Sequence, residues 1–260
     1  MTARIGVVAT APGFRVAVAG LPFRAEEASA PERAVVVVDG RGEWWDAAAR
    51  AAAGGAGAVL VADPGRAPVD AIDALAAGVD VPLLLHRPRL RHDLVARALE
   101  ARGTALARVI VAECRAEPGG LPALVRDAVG WIRLLAGGPM ELVATGGAAL
   151  LRPTAGRAPV GTLVATATTT GGPVLRVRAL GETTTELEID DPIGRRELST
   201  STAAGRTVAP ALHESAERAA LRRALDAAES GDPADDLSRL RHDSGIADRV
   251  ASARLPEAFS

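Results

Sequence analysis

The feature that most constrains this chain is a strict alternation in its N-terminal part. IGVVAT (5–10), AVVVVD (34–39), AVLVAD (58–63) and VPLLL (81–85) are short unbroken apolar runs, the composition of strands buried on both faces. Stretches of helical composition lie between and after them: FRVAVAGL, EWWDAAARAAA (43–53), APVDAIDALAAG (67–78) and RHDLVARALEARG. Gly54, Gly55 and Gly78 supply helix stops. Strand and helix in this order read as repeated βαβ units around a parallel sheet.

The remainder changes character. ALARVIVAEC (105–114) reads as a strand, and LPALVRDAVGWIRLLAGG (121–138) as a helix with Val125, Val129, Ile132 and Ala136 at helical spacing. From Met140 to Val208 the chain is rich in threonine and valine with frequent turn signals, and LRVRA and TTELEID alternate as antiparallel strands with one wet face do. Two helical segments, 213–231 and 235–255, close the sequence. The expected fold class is therefore α/β: a Rossmann-like parallel sheet over 1–103, followed over 104–260 by an α+β domain with a mostly antiparallel open sheet and closing helices.

Bulk properties narrow the functional classes. A hydrophobic content of 48% over 260 residues fills one large core or two modest ones and argues against disorder. All 30 basic residues are arginine, the chain contains no lysine, and the net charge is -2. With acids interspersed among the arginines there is no electrostatic footprint for nucleic acid, and none is expected as a partner. No apolar run reaches the ~18 residues of a membrane span. The single cysteine, Cys114, cannot form an internal disulfide, and MTARIGVVATAPGF lacks a long apolar leader, so the chain reads as cytoplasmic.

Three segments in order carry a resemblance: IGVVATAPGFRVAVAGL, then AVLVADPGRAPVDAIDALAAGVDVPLLLHRP, then LPALVRDAVGWIRLLAGGP. Together they resemble the glucose-fructose oxidoreductase / inositol dehydrogenase (Gfo/Idh/MocA) family. They stand where that family has its first strand and glycine loop, the strand ending in Glu-Lys-Pro, and the helix carrying Asp-x-Gly-x-His-x-x-Asp. The resemblance implies a Rossmann domain for NAD or NADP, a C-terminal domain with an open sheet, and activity on a polyol or sugar-like substrate.

The departures from that pattern are chemically specific. The resemblance puts cofactor binding at Ala9, Thr10, Ala11, Pro12 and Gly13, with Asp39 and Arg41 at the end of the second strand for the ribose hydroxyls or a 2'-phosphate. The three glycines of a G-x-G-x-x-G loop permit a tight turn, approach of backbone to the diphosphate, and close helix packing; here those positions are Ala9, Ala11 and Phe14. Gly13 survives one place away, and Pro12 is suited to opening the helix. A chain that takes NAD or NADP weakly and a chain that takes no cofactor are equal alternatives. Asp39-Gly40 also reads simply as a solvated turn.

His86-Arg87-Pro88 stands where the family has Glu-Lys-Pro. Lysine with an adjustable pKa can help move a proton, whereas guanidinium stays protonated and serves only to clamp an anion. His86 is a candidate base, with a surface residue at a strand end as the plainer reading. In the later motif Asp127 matches the first aspartate, but Val129, Trp131 and Leu134 stand at the glycine, histidine and second aspartate. Asp127 is expected to form a helix-surface pair with Arg126 or Arg133. The catalytic candidates are thus His86, Arg87 and Asp127, none of them a match to the family's proton relay.

Other constellations carry less. His86, His92 and Asp93 lack metal-ligand spacing, so no metal is expected. His213-Glu214 reads as a helix start, His242-Asp243 as surface, Trp44-Trp45 as packing, and Cys114 as an inert strand residue. There is no G-x-S-x-G elbow and no P-loop. Leu175, Val177, Ala179, Leu187 and Ile189 form an apolar sheet face that either pairs with a second copy or lies under the chain's own helices; a homo-oligomer is the expectation. The expected function is a homologue of NAD(P)-dependent sugar or polyol oxidoreductases that has lost hydride transfer and acts as a binding, regulatory or partner subunit, with a possible small-molecule ligand. The alternatives are an active oxidoreductase with non-standard acid-base residues and a structural oligomerisation protein.

Overall fold

Apolar runs of the kind just described fold where both faces can be covered, and the structure, a computed structural model, describes residues 4–156 and 159–253. In chain order the elements begin β1 (Ile5–Ala9), α1 (Pro12–Ala19), β2 (Ala25–Glu27), β3 (Val35–Asp39), α2 (Trp44–Ala53), β4 (Ala58–Ala62), α3 (Val69–Gly78) and β5 (Leu83–His86). Then come α4 (His92–Arg102), β6 (Val109–Ala116), α5 (Leu121–Ala136), β7 (Met140–Ala144), β8 (Ala149–Pro153) and β9 (Val160–Ala167). The chain continues with β10 (Val174–Leu180), β11 (Thr184–Asp190), β12 (Arg195–Thr202), β13 (Gly205–Val208), α6 (Ala216–Ser230) and α7 (Asp236–Ser252).

Two compact units result, one of residues 1–92 with 213–241 and one of 93–212 with 242–260. This differs from an expected division at Gly103, because the periodicity of a helix does not say which sheet it covers. Ala220, Leu221, Ala224 and Leu225 of α6 join Val7, Val35, Leu60 and Leu84 in one apolar core, so α6 belongs with the parallel sheet. His213 and Glu214 precede α6 rather than start it: Ser215 is the N-cap, its hydroxyl accepting the Arg218 N–H at 3.1 Å.

The first unit holds a five-stranded parallel sheet in the order β2-β1-β3-β4-β5. Val59, Val61, Leu83 and Leu85 face a second core that includes Trp44, Ala48, Ile72 and Leu75. Trp44 is buried with its indole N–H donating to the Gly65 carbonyl, so the tryptophan pair is built into packing. Asp236 fastens the start of α7 inside this unit: it receives a forked pair of bonds from Arg223 and accepts the Leu85 N–H at 2.8 Å.

The second unit holds an eight-stranded sheet, β13-β12-β11-β10-β6-β9-β8-β7, in which β6 and β9 run parallel and the other pairs are antiparallel. One face alternates inward through Ile110, Ala112, Leu163, Leu175, Val177, Leu187 and Ile189, all buried. α5 packs on β6, β9 and β10, and Leu175, Val177, Ala179, Leu187 and Ile189 are buried within the chain itself. Cys114 lies in that buried layer.

Candidate functional site

In a parallel α/β sheet the carboxyl ends of the strands and the loops that follow them form the binding crevice. In the first unit these ends are laced together. Asp63 N–H donates to the His86 carbonyl at 2.8 Å, Gly40 N–H to the Ala62 carbonyl at 2.8 Å, and Gly65 N–H to the Gly40 carbonyl at 2.7 Å. A Cβ on Gly40 would lie 2.4 Å from the Ala62 oxygen, so only glycine permits this approach. Asp63 adopts φ 50°, an uncommon conformation for a residue with a side chain.

The loop after β1 runs from Ala9 through Thr10 to Ala11, the N-cap of α1, with φ -68° and ψ 129° and no side-chain cap. Pro12 opens the helix, and Phe14 and Arg15 N–H groups turn back to the Ala11 carbonyl at 3.1 and 3.2 Å. Phe14, at the place of a fingerprint glycine, is 3% exposed and packs into the core with Val7, Leu84 and Leu221. Its ring meets His86 edge to face, with centroids 5.5 Å apart and planes at 70°. The close contact that a glycine would serve is filled by an aromatic ring.

His86 is not the surface residue expected of a strand end: it is 6% exposed, and neither ring nitrogen has a hydrogen-bond partner. Burial pushes its pKa down to about 4; the Glu217 carboxylate pulls the other way, and Arg91 and His92 add to the lowering. The imidazole is therefore neutral at pH 7. Arg87 and Arg91 are buried as well, and Arg91 donates to the Glu214 carbonyl at 2.9 Å.

Asp39 and Arg41 lie at the end of β3 and are exposed. The Asp39 carboxylate accepts the Arg41 N–H at 3.1 Å and lies 3.5 Å from its Nε, a local turn closed on itself. On the other side of the loop, Glu217 from the first turn of α6 stands beside the first turn of α1. A Cβ on Gly13 would be 3.3 Å from Glu217 Cγ and 3.5 Å from Oε1.

In the second unit the expected helix-surface aspartate is buried. Asp127 is 1% exposed with the Arg126 Nε 4.0 Å away, and Arg133 is turned to a different partner. Val129 and Trp131 are core residues of α5. Arg133 reaches Asp243 through a forked pair, 2.8 Å from Nε and 3.1 Å from Nη2, and Asp243 is fully buried. His242 joins them: Nδ1 is 3.1 Å from Asp243, and Nε2 is 2.8 Å from the Met140 carbonyl and 3.1 Å from its N–H. His242-Asp243 is thus an internal clasp, not a surface pair. The sequence reads the pair as surface because a helix face of RHDSG shows no apolar stripe at that point.

The crevice brings together Ala9 to Gly13, Phe14, His86 and Glu217 within one unit. Glu217 had no sequence signal beyond its place near a helix start. Among the described residues no group of three or more His, Cys, Asp or Glu side chains is placed to hold a metal ion, and no helix is long and apolar enough to cross a membrane.

No family model and no curated protein matches the chain. Solved structures do resemble it. A UDP-N-acetylglucosamine 3-dehydrogenase from Acidithiobacillus ferrooxidans is 17% identical, with a TM-score of 0.71 over 96% of this chain and 97% of that one. An oxidoreductase from Sinorhizobium meliloti is 15% identical, with a TM-score of 0.73 over 97% and 99%. A 3-ketoreductase from Actinomadura kijaniata, in complex with NADP and TDP-benzene, is 16% identical, with a TM-score of 0.63 over 96% and 97%. At such identities the likeness establishes the fold: a Rossmann-like parallel sheet and a mostly antiparallel sheet, in the arrangement of elements these oxidoreductases share.

Proposed function

We propose that this chain is a homologue of the sugar and polyol oxidoreductases in which hydride transfer has lapsed, and that it acts as a binding, regulatory or partner subunit. The observation that carries the reading is the protonation chemistry at the carboxyl end of β5. Hydride transfer to or from an alcohol carbon requires the hydroxyl proton to move as well, through a group whose pKa lies near the working pH. His86 is buried, screened on one side by Phe14, and neutral down to about pH 4. Arg87 beside it keeps its proton at any working pH. In the second unit Trp131, at the position the resemblance gives to histidine, carries an indole N–H that is donor only and cannot relay a proton near neutral pH.

The residues after β1 also do not fit a dinucleotide diphosphate. Ala11 places a methyl group where the backbone must approach the phosphates, Phe14 occupies the close-packing position, and Glu217 brings a carboxylate to the helix start.

The test is turnover of purified protein with NADH and NADPH against a panel of polyols, sugars and their keto forms. The expected result is no oxidation or reduction above a buffer blank. Turnover that follows the protein through a second column and disappears in Arg87→Ala contradicts the proposal and supports an active oxidoreductase with unusual acid-base residues.

A further inference from the structure

We infer that Glu217 is an internal anion standing in place of a ligand diphosphate at the first turn of α1, so that the chain closes its own nucleotide crevice; this deepens the reading that hydride transfer has lapsed and rests on it. The start of a helix presents backbone N–H groups without intrahelical partners and the positive end of the helix dipole, and so attracts whatever anion can reach it. α1 has no side-chain cap of its own and no acid in its first turn. The carboxylate that stands beside that turn comes from α6.

Three features make this contact part of the architecture. α6 packs along α1, and Ala220, Leu221, Ala224 and Leu225 lock it into the same core as Phe14, Ala17 and Val18, so the backbone of Glu217 is fixed beside α1. Gly13, the one fingerprint-like glycine that survives, has a Cβ direction aimed at Glu217: an added methyl would come within 3.3 Å of Cγ. A glycine that would admit a ligand oxygen here admits a glutamate. Finally, the neighbouring acid is engaged elsewhere, since Glu214 is bound by Arg222 at 2.8 Å and lies 3.4 Å from Arg218. Glu217 instead acts on His86, where, among the described residues, it favours the charged imidazole.

The consequence is electrostatic exclusion. A diphosphate placed at the first turn of α1 would meet a like charge that the packed α6 backbone keeps beside it. Removing the charge while keeping the shape should open the helix start to anions. Full-length wild type, Glu217→Gln, Glu217→Ala and Glu214→Gln are titrated with inorganic pyrophosphate at low ionic strength by calorimetry, each with its thermal midpoint recorded. Glu217→Gln and Glu217→Ala are expected to bind pyrophosphate at least about tenfold tighter than wild type, with Glu214→Gln like wild type. If Glu217→Ala does not fold, the isosteric Glu217→Gln decides.

The inference is overturned if folded Glu217→Gln binds pyrophosphate within about twofold of wild type, or if Glu214→Gln gains as much, which would make the effect one of overall charge. Neither result restores turnover, so failure here is distinguishable from failure of the proposed function, which only turnover by wild type would sink.

Discussion

Two histidines, one in each unit, have opposite surroundings. His86 ends a strand, is 94% buried by its 6% exposure, and leaves both ring nitrogens without a partner. His242 sits on a helix, is partly exposed, and has a partner at each nitrogen: Asp243 at Nδ1 and the Met140 backbone at Nε2. The difference separates two uses of polar chemistry. The clasp in the second unit satisfies its charges with hydrogen bonds and works as structure, whereas the crevice of the first unit holds an imidazole silent by stripping it of water and of partners.

The contrast can be broken most forcefully at Asp243. Asp243→Ala leaves the Arg133 guanidinium buried without its forked partner, and a buried charge left alone is costly. The expected loss is about 3–5 kcal/mol in urea unfolding, read as a lower midpoint with little change in slope. A loss of under about 1 kcal/mol would mean that the clasp is solvated and its charges are not interdependent.

A somewhat smaller effect sharpens the other side. The unfolded chain takes up a proton on a histidine near pH 6.5, but folded His86 does so only near pH 4. In that window the unfolded state binds more protons, so stability falls as pH drops from 6.5 to 4, by about 3 kcal/mol from this residue. His86→Leu should remove this part of the acid sensitivity while leaving the slope above pH 7 unchanged. An identical pH profile in wild type and His86→Leu would contradict the silent imidazole.

The strands of the first sheet were readable because AVVVVD and AVLVAD are apolar on both faces, a pattern that needs no knowledge of neighbours. The antiparallel partners LRVRA and TTELEID were readable from alternation. β2, three residues of AEE at a sheet edge, carries no such pattern and was missed. Side-chain environments were less legible. His86 reads as a surface residue at a strand end, yet His86, Arg87 and Arg91 are all buried, because the loops they join fold back on the strand ends. Asp127 and Asp243 read as surface charges for the same reason: burial of an acid depends on an arginine that the tertiary fold delivers, from the adjacent residue in one case and from 110 positions away in the other. Glu217 illustrates the limit, since its contact with Gly13 joins two helices about 200 residues apart in sequence, and neither carries a motif for the other.

The account turns on the His86 ring exchanging no proton near neutrality, and its titration by NMR tests this directly. Against spectra of His86→Leu for assignment, the ring resonances of His86 should stay fixed from pH 8 to pH 6 and move only as the pH approaches about 4. A midpoint near 6.5 or above would place a working acid-base group in the crevice and contradict the account.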